Sequence, residues 1–135
     1  MQGSRRASPS PMPLLTPWPM ATTTGSGLSK GLPFTFQVWI DHSGVAYGTF
    51  SGSVPSSAGG ALVIEGAVTC GWIDGNVGVF GGRSDATATD FTVMVSDRPD
   101  GMIIGTGRQG CDTTGFGDPA GLPITDGDIL VIPEP

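Results

Sequence analysis

From Leu32 to Ile132 the apolar residues of this chain recur with a period of two, and no amphipathic helix is visible anywhere. Phe34, Phe36, Val38 and Ile40 alternate with Thr35, Gln37 and Trp39. Phe91, Val93 and Val95 alternate with Thr92, Met94 and Ser96. That period sends successive side chains to opposite faces of a pleated strand, so each run has one face to bury. The chain is therefore all-β.

Turn chemistry separates the runs. Asp41-His42-Ser43-Gly44 is of hairpin length, Asp74-Gly75-Asn76 is a tight turn, and Asp97 to Gly101 reads Asp-Arg-Pro-Asp-Gly. The 23 glycines and 12 prolines have no fixed period, which places them at turns and excludes a collagen-like chain. Val45 to Val54 is expected as a return strand. Ala61 to Trp72 follows as a long one, with Leu62, Ile64, Val68 and Cys70 on one face. Gly81 to Thr89 and Gly110 to Thr125 read as loops. The count is seven or eight strands joined mostly by short turns. It predicts an antiparallel meander closed into a small barrel, with a two-sheet sandwich as the alternative.

Residues 1–31 read differently. They are rich in Pro, Ser, Thr and Gly without a period, and are expected to be a disordered arm or a degenerate export segment. Arg5-Arg6 ahead of PMPLLTPWPMA has the order of a signal peptide, but proline breaks the apolar stretch. Residues 32–133 are expected to form a single β-domain.

Charge limits the partners. Residues 31–135 hold three arginines against all twelve acids, a formal −9, with no basic stripe to neutralise phosphates. Nucleic acid is excluded on that ground. No segment approaches the ~18 apolar residues of a membrane-spanning helix. A small molecule or an extracellular protein remains as a partner. The two cysteines, Cys70 and Cys111, read as one disulfide in an exported protein; two buried thiols in a reducing compartment are the alternative.

The chemistry-bearing residues do not assemble into a known catalytic pattern, and no cofactor is implied. His42 is the only histidine, and adjacent Asp41-His42-Ser43 in a turn cannot adopt triad geometry. Glu65, Asp90 and Asp97 leave a carboxylate-dependent enzyme as a weaker reading. Asp126 and Asp128, and the loop from Asp112 to Asp118, offer oxygen ligands for calcium without matching a known loop. Trp39, Tyr47 and Trp72 fall opposite the main apolar faces or near strand ends. They are the candidate ligand-binding residues of an aromatic-lined barrel pocket, a second packing layer being the plainer reading.

The segments FTFQVWIDHSGVAYGTFSG, GAVTCGWIDGNVGVFGG, TDFTVMVSD and DGDILV together resemble an uncharacterised β-rich domain common in secreted, largely actinobacterial proteins. Val68-Thr69-Cys70, Gly75-Asn76 and Asp97 sit where that pattern places them, over about residues 34–132. Asp97-Arg98-Pro99 departs from its usual Asp-Asn-Gly. The resemblance implies export and a β-fold and brings no catalytic residues. The expectation is a secreted or extracytoplasmic, non-catalytic structural or interaction module, with a small-molecule-binding barrel as the alternative.

Overall fold

The computed structural model describes residues 20–55, 59–85, 87–107 and 109–133. Eight strands run through them: β1 (Ala21–Ser29), β2 (Leu32–Ile40), β3 (Ala46–Pro55), β4 (Ala61–Asp74), β5 (Val77–Ser84), β6 (Thr89–Asp97), β7 (Asp100–Thr106) and β8 (Asp126–Ile132). A single 3-10 turn, Pro119–Gly121, precedes β8 and is capped by Asp118, whose Oδ1 accepts from the Ala120 N–H at 3.0 Å. All eight strands belong to one antiparallel sheet in the order β7-β6-β5-β4-β3-β2-β1-β8. β8 also packs on β6 and β7, so the sheet curls into a nearly closed barrel. One continuous sheet decides against the sandwich.

The inner face is apolar and full. Phe36 lies 5.0 Å from Phe80 and Phe50 lies 5.5 Å from Phe91, ring centre to ring centre. Phe34, Val38, Ile64, Val93, Val95 and Ile129 pack with them, all buried. At about 25 cal/mol per Å² of apolar surface removed from water, this cluster is the main favourable term of the fold. Phe36, Phe50, Phe80 and Phe91 thus fill the interior of the described barrel with rings packed on one another.

Three expectations change. Residues 21–29, read as part of a disordered arm, form β1, hydrogen-bonded to β2 on one side and β8 on the other. Threonine is polar enough to hide the alternation, yet Ala21 and Thr23 point inward, and the Thr23 hydroxyl donates to the Leu130 carbonyl at 2.9 Å. Residues 1–19 lie outside the described segments. Gly81 and Gly82, read as the start of a loop, lie within β5. A Cβ on Gly82 would meet the Ala67 carbonyl oxygen, and one on Gly81 would sit 2.7 Å from the Phe91 carbonyl oxygen. Glycine there permits close strand approach. Lastly, Cys70 does not share the face of Leu62, Ile64 and Val68. The β4–β5 register shifts between Val68 and Cys70. Such a bulge flips every later side chain to the other face. Gly71 therefore points at Ile40 in the core and Cys70 points out.

Outside the barrel, Cys70 is bonded to Cys111, with their Cα atoms 6.2 Å apart. The bond holds the β7–β8 connection against the outer face of β5 and β6, where the Cys111 sulfur lies over Gly81 and beside Thr92. Val79 and Thr92, which point away from the core, are fully buried there.

The barrel seam is closed in an unusual way. β8 has β1 on one edge and no strand bonded to the other. On that free edge the Val131 N–H donates to Asp97 Oδ2 at 2.8 Å, and the Ile129 N–H donates to Asp100 Oδ2 at 3.4 Å. Side-chain carboxylates from the β6–β7 turn thus take the place of a neighbouring strand.

Candidate functional site

The aromatic residues singled out from the sequence all lie on the outer surface: Trp39 is 39% exposed, Tyr47 53% and Trp72 42%. Their direction follows from strand alternation, because Val38, Ile40 and Ala46 take the inward positions. Trp39 and Tyr47 are direct cross-strand partners on β2 and β3. The row continues sideways through Thr22 on β1 to Ile132 on β8. With strands about 4.8 Å apart, these four residues span roughly 14 Å across the barrel. A parallel row holds Leu130, Thr24, Gln37 and Thr49. Trp72 stands apart from the pair, at an open cleft of about 410 Å³ beside the Asp41–Gly44 turn. The structure therefore brings Trp39 and Tyr47 together, sets Trp72 near the barrel end, and encloses none of them in a pocket.

The two rows carry no charged residue. Acids border them on two sides: Asp128 and Glu65 in the next row one way, and Asp41, just past the end of β2 and two residues from Trp39, the other. In a domain with a formal −9 over residues 31–135, that is a local exclusion of charge. Contiguous exposed apolar side chains rimmed by polar ones mark interaction surfaces. Tyr47 and Leu130 and Ile132, each about half exposed, give the patch its apolar area.

The acids are engaged in holding the fold. Asp41 Oδ1 accepts from the Ser43 hydroxyl at 2.6 Å, the Ser43 N–H at 2.9 Å and the Val45 N–H at 3.1 Å. These bonds, the Ser43 hydroxyl first, hold its carboxyl below the ordinary aspartate range. His42 is exposed in that turn, and the three residues make a turn lock without relay geometry. Glu65 accepts from the Ser51 hydroxyl at 3.1 Å. Asp90 pairs with Arg83 at 3.4 Å. Asp90 and Asp97 sit at opposite ends of β6, roughly 23 Å apart at about 3.3 Å per residue, too far to act as an acid and base pair. Burial, first of all, raises the Asp100 carboxyl above the ordinary range. The nearby Asp128 and Asp97 act in the same direction, and the Ile129 N–H opposes them. Asp126 Oδ1 turns back to the Gly127 N–H at 2.9 Å. Among the described residues no three His, Cys, Asp or Glu side chains are placed to hold a metal ion, and no helix is long and apolar enough to cross a membrane.

Sequence reasoning found the aromatics but not the charge-free surface around them. The signal was there: Thr22, Thr24, Gln37 and Thr49 are the outward positions of their strands. Their adjacency, however, depends on strand register. The chain matches no protein-family model, and neither curated proteins nor solved structures gave a match.

Proposed function

We propose that this domain is an exported, non-catalytic interaction module whose contact surface is the charge-free outer face of β8, β1, β2 and β3. The observation that carries the reading is the Trp39–Tyr47 pair, exposed side by side on the outside of a barrel whose core is filled. Trp and Tyr supply large, stiff contact area with one apolar and one polar end, which suits recognition more than packing. The Cys70–Cys111 bond supports export, because such a bond persists in oxidising compartments. The engagement of Asp41, Glu65, Asp90, Asp97 and Asp100 in turns, ion pairs and the seam speaks against the carboxylate enzyme. The filled core speaks against a small-molecule barrel.

The test is partition of the full chain between the cell-envelope fraction and the medium of producing cells. The expected result is an oxidised protein retained with the envelope, and release of the folded W39A/Y47A double variant into the medium. Reduced protein in the cytosol, or retention of the double variant equal to wild type, would sink the reading.

A further inference from the structure

We infer that the partner of this face is a neutral polysaccharide. The inference rests on the interaction-module reading above and names its ligand class. Charge narrows the field first. The eight residues of the two rows carry no charge with which to form an ion pair, and the field of the acidic domain repels anionic lipid surfaces and nucleic acid. The same field sets one copy of the domain against another, with a formal −9 over residues 31–135 of each.

The polar groups narrow it further. Between and beside the rings stand Thr22, Thr24, Gln37 and Thr49, whose hydroxyls and amide both donate and accept hydrogen bonds. A sugar ring presents the matching chemistry: an apolar C–H face that lies on an aromatic ring, edged by hydroxyls that donate and accept in turn. The four-residue row is about as long as two to three sugar units, at roughly 14 Å from the strand spacing. An extended, uncharged chain lying along it would stack on Trp39 and Tyr47 while its hydroxyls met the threonines and Gln37. An open face rather than an enclosed pocket accommodates the interior of a long polymer as readily as its end.

The experiment is affinity electrophoresis of the full chain in native gels containing hydroxyethylcellulose, laminarin, galactomannan or soluble starch, with dextran sulfate as the charged comparison. The expected result is retardation by at least one neutral polymer and none by dextran sulfate. Trp39→Ala and Tyr47→Ala should each weaken that retardation by roughly tenfold or more, as hot-spot aromatics do. Val63→Ala, exposed on β4 beyond the acidic rim, should leave it unchanged. Should Trp39→Ala fail to fold, the more exposed Tyr47→Ala carries the test. No retardation by any neutral polymer, retardation that ignores both substitutions, or equal retardation by dextran sulfate overturns the proposal. So does self-association in sedimentation that the same substitutions abolish, which would make a second copy the occupant. If the glycans fail while envelope retention still depends on Trp39 and Tyr47, the ligand class falls and the interaction module stands.

Discussion

Replacing Asp97 with alanine removes the acceptor that closes the barrel seam. Its Oδ2 takes the Val131 N–H at 2.8 Å, and its side chain is only 6% exposed. Val131 is itself buried, so water cannot freely replace the lost partner. A hydrogen bond to a charged group contributes about 1.5–3 kcal/mol, and a buried donor left alone costs a similar amount. The two figures describe the same loss from two sides, so the expected destabilisation is about 2–3 kcal/mol. For a domain of this size that lowers the thermal midpoint by roughly 10 °C. Asp97→Asn keeps an acceptor oxygen but loses the charge, so it should cost about half as much. Urea unfolding at neutral pH gives the free energies, and amide hydrogen exchange reads the site itself. Val131 and Ile129 should lose protection in Asp97→Ala before the Phe50 and Phe91 amides in the barrel wall do. If Asp97→Ala unfolds within about 0.5 kcal/mol of wild type, the ordinary range for a neutral surface change, and Val131 stays protected, the carboxylate seam does not hold β8.

The fold sets three further outcomes. Replacing Cys70 and Cys111 with serine frees a loop with a sequence separation of 41, and the chain-entropy model puts the loss near 4 kcal/mol, readable by urea unfolding. Asp100 has a raised carboxyl in the fold, so it favours the folded state most below the ordinary aspartate range, and that contribution is lost as pH rises through its folded value. Stability of wild type relative to Asp100→Asn should therefore fall as pH rises through that window, and a difference that stays flat with pH would remove the argument. Gly82→Ala sets a Cβ against the Ala67 carbonyl oxygen and should cost about 1–3 kcal/mol, whereas Gly117→Ala meets nothing within 4 Å and should change stability by no more than about 0.5 kcal/mol, both measured by chemical unfolding.

The strands were legible wherever strongly apolar and polar residues alternate, as in Phe34 to Ile40 and Phe91 to Ser96. Where the alternation is carried by threonine, as in β1, it vanished into the composition of a loop. The bulge after Val68 was invisible for another reason. A bulge is a property of two strands paired out of step, and nothing in Val68-Thr69-Cys70 alone announces it. Asp97 and Asp100 looked like turn residues and are turn residues. Their second task, serving β8, links positions 34 and 29 residues apart and exists only once the barrel has curled. Alternation set Gln37, Trp39 and Tyr47 opposite the apolar faces but missed Thr22 and Thr24 of β1, and the rows across four strands were set by register, which local sequence does not encode.

The pairing of the first strand with the last has a mechanical consequence. Thr22 faces Ile132, so the flanking chain enters and leaves the barrel at one end through adjacent antiparallel strands. A pull applied through those flanks opens Thr22 from Ile132, then Thr23 from Val131, and so on toward Leu28 and Asp126, one rung at a time. Rungs broken in succession yield at low tension, unlike strands sheared along their length. The yielding is bounded, however. The crosslink between Cys70 and Cys111 keeps the 41-residue separation between them from paying out, withholding about 140 Å of contour at roughly 3.4 Å per residue. Pulled through its two flanks, the barrel would give way softly and stop short.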